Sequence, residues 1–418
     1  MLPFMELGAA LQRHGHEVRF YGNGYFRRYA DALQVHFTAT SDAAQYEAFL
    51  NAPAATDPRQ AMRAVADGVM SKVGSTHAMM RADVLEGQTI AIGSTFAFAA
   101  RLLGESDGVP TAVIHLSPSV LRSEYAAPRF SPLGHMARLP RMVKRLVWRT
   151  MDRKFMDPLY TAPFNRIRAG LGLAPVARMF HHWLHQADAT LCMVPPWFAP
   201  RQPDWPGNVT MTGFPQVDHG ASEPMTAQVA TFLDAGAAPV VVTAGTANAV
   251  SHAFFAGAIE ACRILGLRAI LVTADPRQLP ASLPDGMLHA GYVPFSALLP
   301  RAAAFIHHGG IGSVGQALRA GVPQLVQPMA FDQFDNASHV VQLGVGREIL
   351  ARHFTPARVA AELAALLADR LISANCKRHA ANLVNAEGIE RACAHLLEIL
   401  SPRLASGSAV VPVALSAD

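Results

Sequence analysis

One stretch, residues 302–336, constrains what this chain can fold into more than any other. An apolar run at 302–306 is short and bounded, as a strand buried on both faces would be. His307 and His308 close it. Gly309, Gly310 and Gly312 then make a turn in which no Cβ holds the backbone N–H groups away from a ligand. From Ser313 a helix is expected, running to Ala320. Gly321 stands where a left-handed residue ends a helix, and Pro323 blocks continuation. A second buried strand is expected at 324–327, then a polar loop from Asp332 and Gln333 to Asn336. Strand, glycine turn, helix, strand is the grammar of an α/β fold.

The chain has 418 residues, too many for one ordinary domain, and its 51% hydrophobic share can fill two cores. The expected division is an N-terminal domain at 1–218, a linker near 216–224, a C-terminal domain at 225–400 and a frayed tail at 401–418. No stretch reaches the ~18 uninterrupted apolar residues of a membrane span, and the opening residues do not read as a secretory leader. Cys192, Cys262, Cys376 and Cys393 are too dispersed for a zinc ribbon or a disulfide framework. A cytoplasmic setting is expected.

The glycine turn leaves the first N–H groups of its helix unpaired, and the helix dipole adds about half a positive charge there. Such a site suits an anion, most simply a phosphate. His308 is placed to donate to the same oxygens, and Gly245-Thr246, after a strand at 240–243, form a further phosphate-side turn. Asp332 and Gln333 face the same crevice, and a carboxylate beside a carboxamide suits sugar hydroxyls. Together these imply a nucleotide-sugar donor. Residues 310–315 also satisfy G-x-G-x-x-G, with Asp332 near the distance of a ribose-binding acid. That keeps an NAD(P)-dependent oxidoreductase as the alternative. Against it, the motif is not in the first βα unit of its half, and Asp332 is followed directly by Gln333.

His308-x-Gly310, Gly321-Val322-Pro323, Pro328 and Asp332-Gln333, in this order, resemble the donor-binding signature of the family 1 glycosyltransferases. Trp197-Phe198-Ala199-Pro200, Asp204-Trp205-Pro206, Met211-Thr212-Gly213-Phe214-Pro215, Ser117-Pro118-Ser119 and Trp148-Arg149 are similar to its bacterial macrolide- and sterol-type branch, which includes the rhamnosyltransferase subunit of rhamnolipid synthesis. The resemblance implies a GT-B fold, two Rossmann-like domains facing a cleft. It implies that His308, Gly309, Gly310, Gly312 and Ser313 hold the donor diphosphate, Tyr292 and Val293 the base, and Asp332 and Gln333 the sugar. No cofactor and no metal are expected. The last helix should cross back onto the first domain.

In relatives a first strand and a glycine-rich loop, carrying a His or Asp base, precede the first helix. Here Phe4, Leu7 and Leu11 already repeat at helical spacing from the start. The first domain is therefore expected to lack its first strand, with the catalytic base upstream of Met1 in a longer chain, or lost. In the second case the protein would be a donor-binding homologue without catalysis.

Elsewhere in the first half, His115 and Ser117 follow a strand at 111–115 and are acceptor-side candidates, although His115 can equally be a bonded core histidine. Between Arg138 and Lys154, Met142, Val143, Leu146, Val147 and Met151 repeat at helical spacing, opposite Arg141, Lys144, Arg145, Arg149 and Arg153. A basic amphipathic helix can lie on an anionic membrane face or frame an apolar acceptor, and an ordinary surface helix gives the same pattern. No aromatics interleave as a stacking platform, so nucleic acid is not expected. His181, His182 and His185 lack an accompanying acidic ligand, so no metal is expected. The expected function is inverting, metal-independent transfer of a hexosyl or deoxyhexosyl group to a hydroxyl of a lipid-like or natural-product acceptor. Similarity to the rhamnolipid enzyme suggests dTDP-rhamnose and a hydroxy-fatty-acid acceptor.

Overall fold

The computed structural model of the chain describes residues 1–50, 58–132, 135–218, 225–245, 251–384, 387–403 and 410–414. Through them run the strands β1 (Glu17–Asn23), β2 (His36–Ser41), β3 (Ala91–Ser94), β4 (Thr111–His115), β5 (Ala189–Cys192), β6 (Val209–Met211), β7 (Val240–Thr243), β8 (Ala269–Val272), β9 (Met287–Ala290), β10 (Ala304–His307), β11 (Gln324–Val326), β12 (Gly346–Glu348) and β13 (Val410–Ala414). Five helices carry the argument: α1 (Leu2–Arg13), α2 (Arg141–Met151), α3 (Ile311–Ala320), α4 (Gln333–Gln342) and α5 (Gly388–Leu400). Two compact units emerge. The first comprises Met1–Pro128, His135–Pro215 and Glu387–Asp418; the second comprises Arg129–Gly134 and Gln216–Ala386.

The second unit holds a six-stranded sheet, order β12-β11-β10-β7-β8-β9, with every neighbour parallel. β7, β8 and β10 are buried at every position, and a strand covered on both faces must be apolar throughout. From β7 the chain builds outward to β9, then returns to lay β10 on its other side. The order therefore reverses between β7 and β10, and ligands of open α/β sheets bind beyond the strand ends at such a point. Gly245 and His308 follow those two strands.

The first unit holds a seven-stranded sheet, order β2-β1-β13-β3-β4-β5-β6, again all parallel. As expected, no strand precedes α1 among the described residues, but the expected frayed tail is corrected: 410–414 form β13, which takes the place in the sheet that such a strand would leave. β13 lies between β1 and β3, pairing Val411 with Val18 and Val413 with Ile92. An empty place there would leave two rows of backbone N–H and C=O groups unpaired. Val-Val-Pro-Val-Ala suits it because all five positions are buried and three are β-branched. Val410 donates to the Gln88 carbonyl at 2.7 Å and accepts from Ile90 at 3.1 Å. Pro412, opposite Arg19, has no N–H to give, so the strand carries one donor fewer than its place could use.

Other boundaries move as well. α5 belongs to the first unit, packed on α1 and β5, so the second unit closes at Ala386 rather than at 400. This matches the helix that the resemblance expected to cross back. Residues 216–218, expected as linker, belong to the second unit, where Asp218 accepts from the backbone N–H of Phe295 (3.0 Å) and Ser296 (3.1 Å).

Candidate functional site

The site grows from the C-terminal ends of β7 and β10. His307 is fully buried, paired with Gln324 at 3.1 Å, and its Nδ1 accepts from the Gly309 N–H at 3.1 Å. Burial first, then the neighbouring His308, pushes its pKa down to about 3. His308 is clasped between two glycines. A Cβ on Gly310 would lie 2.5 Å from His308 Nε2, and one on Gly245, which sits at φ +79, would overlap the same ring. Burial holds His308 at about 4, so the ring is neutral at pH 7. Among the described residues its Nδ1 has no hydrogen-bond partner, and its Nε2 edge lies against the Gly310 N-cap of α3.

α3 starts earlier than expected, at Ile311 with Gly310 as N-cap, rather than at Ser313. Its first backbone bond is Val314 N–H to Gly310 O (3.0 Å), and no side chain among the described residues caps it. The N–H groups of Ile311, Gly312 and Ser313 are therefore the orphan donors of a helix N-terminus. Gly312 is exposed, with open space where a Cβ would be. Gly309 is needed for another reason: it sits at φ +89, and a Cβ there would lie 2.9 Å from Val326 Cγ1 and 3.1 Å from the Gln333 carbonyl oxygen.

The polar loop expected at 332–336 is instead the first turn of α4, with Asp332 as N-cap. Phe334, Ala337 and Val340, at spacings of three, turn one helix face into the core. Gln333 Oε1 accepts from Met329 N (2.9 Å) and Ala330 N (3.0 Å), so only its amide hydrogens are left for a ligand. Asp332 Oδ2 accepts from Asn336 Nδ2 at 2.8 Å. Arg129 braces the outside of α4: its N–H donates to Asp335 Oδ1 (2.9 Å) and its guanidinium to Glu348 Oε2 (2.7 Å). Tyr292 keeps an exposed face beside the buried Val293, while Thr246 lies outside the described residues.

Residues 263–394 match the description "Erythromycin biosynthesis protein CIII-like, C-terminal domain". Vancomycin aglycone glucosyltransferase of Amycolatopsis orientalis is 31% identical over 321 residues, 73% of this chain and 72% of that protein. The chain belongs to the family 1 glycosyltransferases. Glycosyltransferase GtfE of the same organism is 33% identical over 261 residues, 60% of this chain, which thus spans 59% of that relative's length. The glycotransferase of kitacinnamycin has a TM-score of 0.75 at 22% identity, covering 95% of both chains, and spinosyn rhamnosyltransferase SpnG has 0.65 at 20%. The fold of this glycosyltransferase is therefore GT-B. Glycopeptide and macrolide transferases stand among its relatives; closeness to a rhamnosyltransferase rests on SpnG, a likeness of fold alone.

The acceptor-side candidates of this glycosyltransferase are placed differently from expectation. His115 is fully buried, with Nδ1 against Thr95 Oγ1 (2.9 Å) and Nε2 against His185 Nδ1 (3.4 Å). Burial, then His185, holds it neutral, well below the ordinary histidine value. Of the two readings left open for it, the bonded core histidine is the one the structure shows, and the acceptor-side reading is corrected. Ser117 is buried against Ser119 Oγ at 3.1 Å. Among the described residues, no group of three or more His, Cys, Asp or Glu could hold a metal ion. No helix among them is long and apolar enough to cross a membrane.

Sequence reasoning missed Asp218, which fixes the segment after Tyr292, and Asn336. A single polar residue in a presumed linker or loop carries no periodic signal. Only its contacts distinguish it.

Proposed function

We propose that the protein transfers a hexosyl or deoxyhexosyl group from a nucleoside-diphosphate sugar to a hydroxyl of an apolar natural-product or lipid-like acceptor. The observation that carries this reading is the neutral His308, clasped by Gly245 and Gly310 over the uncapped N-terminus of α3. Two relatives named for vancomycin aglycone and O-mycaminosyltylonolide support a polycyclic or macrocyclic acceptor over a fatty acid. The acceptor oxygen attacks the anomeric carbon as the bond to the diphosphate breaks, which inverts that centre. The acceptor's proton passes to a base, and the nucleoside diphosphate leaves with the electron pair. Charge growing on its phosphate meets the N–H groups of Ile311, Gly312 and Ser313, a stabilisation that needs no metal ion. Tyr292 and Val293 hold the nucleobase of the donor, and Asp332 and the Gln333 amide read the sugar.

The protein's other proposed partner is an anionic membrane face. On α2, Met142 is 82% and Leu146 65% exposed, among the outward Arg141, Arg145 and Arg149. An apolar stripe edged by guanidinium groups suits a headgroup boundary.

Calorimetry with UDP, dTDP and NAD tests the main reading. A diphosphate is expected to bind, more weakly after His308→Ala, with no binding of NAD. Binding of NAD alone would overturn it. A transfer screen pairing UDP-glucose, dTDP-glucose and dTDP-rhamnose with glycopeptide, macrolide, sterol and 3-hydroxy-fatty-acid acceptors then identifies the substrates. A pH dependence follows. An anion beside His308 favours the charged ring and raises its pKa from about 4. Binding of the sugar nucleotide therefore takes up protons and tightens as pH falls from 7 toward 6. Calorimetry in two buffers of different ionisation enthalpy measures this uptake, and His308→Gln should abolish it.

A further inference from the structure

Asn336 makes a link within the donor site that its sequence position does not announce. Its side chain is fully buried, and Nδ2 donates to two acceptors at once, the Gly309 carbonyl oxygen at 3.0 Å and Asp332 Oδ2 at 2.8 Å. Neither partner can donate while Asp332 is ionised, so chemistry fixes the orientation of the amide. Turned over, its oxygen would face a carbonyl and a carboxylate. Gly309 is the positive-φ residue of the glycine turn, and Asp332 caps α4. One amide nitrogen therefore ties the backbone that leads into the orphan N–H groups of α3 to the carboxylate at the head of α4. Alanine or serine is too short to span both. Aspartate would set a third oxygen against the two already there.

We propose that Asn336 is a positioning residue that couples the two halves of donor recognition. It holds the Asp332 carboxylate in one direction relative to the Gly309 turn, so that sugar hydroxyls are read only from a diphosphate seated on that turn. With Oδ2 committed to Asn336, the carboxylate is kept from rotating about its own axis. The sugar contact then costs no further ordering when the donor arrives. This inference rests on the nucleotide-sugar reading above.

The test is the sugar increment, the ratio of dissociation constants for a nucleoside diphosphate and its hexose conjugate. It is measured by calorimetry on the full chain with UDP against UDP-glucose and dTDP against dTDP-glucose. Asn336→Ala is expected to cut the increment about tenfold, as loss of a charged hydrogen bond would, while binding of the bare diphosphate changes much less. Asp332→Ala should lose the same increment, and the double variant no more than Asp332→Ala alone, because the two residues act as one unit. A merely structural role would weaken both ligands alike. Asn336→Asp supplies a second readout and carries the test if the alanine variant does not fold. Two adjacent carboxyl groups cannot both ionise cheaply, so one keeps its proton at acidic pH and can stand in for the amide N–H. The increment should return as pH falls and vanish as it rises. An unchanged increment in Asn336→Ala, additive losses in the double variant, or no pH-dependent recovery in Asn336→Asp overturns this inference alone. Wild-type protein that binds none of the four ligands overturns the donor reading, and this inference with it.

Discussion

The two sheets solve the same problem with different material. In the second unit every strand lies in one continuous length of chain, from Val240 to Glu348, and the middle of the sheet is built by β7 and β10. In the first unit the place between β1 and β3 goes to β13, which follows hundreds of residues later. Periodicity and apolar runs say that a segment is a strand. They do not say which gap it fills. The first sheet exposes that distinction, and the second mostly conceals it because, apart from the step from β9 to β10, strands consecutive in the chain are also neighbours in space.

The sharpest way to break the comparison is to remove β13. Deleting 404–418 should open both edges at once and lower thermal stability more than any single substitution in the sheet. Val413→Asp, which puts a carboxylate at a fully buried position, is the milder form and should cost on the order of 3 kcal/mol or more. Both are read by thermal melts and by amide exchange at β1 and β3. If the shortened chain melts like the parent and β1 stays protected, β13 is an ornament and the two sheets are closer in kind than they look.

The strand ends differ as the strands do. Beyond β7 and β10 the second unit presents an open helix N-terminus, with glycines wherever a Cβ would collide. Beyond β4 the first unit closes on itself, and both nitrogens of His115 are taken. The first is legible in sequence because glycine, proline and histidine there have narrow backbone reasons to exist. Gly309 and Gly321 do sit at positive φ, and Gly310 is the N-cap. His115 is not legible, because a histidine at a strand end reads the same whether it faces a substrate or the core. α4 reads as a loop in sequence since its first turn, Gln333 to Asn336, is mostly polar. The apolar residues that make it a helix come later.

Gly245→Ala sharpens the contrast at intermediate size. A Cβ there meets the His308 ring, and φ +79 strains any L-residue. The ring must move off the α3 N-terminus, and affinity for the diphosphate should fall about tenfold to a hundredfold at a stability cost of about 1–2 kcal/mol. Gly266→Ala, at φ +64 with open space around it, carries the backbone strain without the collision. It should cost similar stability and leave binding alone. Equal binding losses in the two variants would show that strain, and not the clasp on His308, is what matters.

The smallest effect concerns α2, where the pattern is visible in sequence and its direction is not. The periodicity sets Met142 and Leu146 on one face and the basic residues on the other, and an ordinary surface helix would pack the apolar face inward. Instead Lys144 and Trp148 face in: Lys144 Nζ donates to the Tyr125 carbonyl at 3.0 Å, and the indole N–H reaches the Ser123 carbonyl at 3.4 Å. The tryptophan decides the matter. It is the largest apolar side chain on the helix and stands one turn beyond Lys144 on the same face, so burying it commits Lys144 to the interior along its aliphatic stem. Met142 and Leu146 are then left outside. Replacing both with serine should shift stability by no more than about 0.5 kcal/mol, since neither contributes to the core. Sedimentation with vesicles containing phosphatidylglycerol should show weaker binding than for the parent, while neutral phosphatidylcholine vesicles bind neither. A destabilisation of several kcal/mol would mean that these side chains are packed in solution. The helix would then pack its apolar face inward, as an ordinary surface helix does.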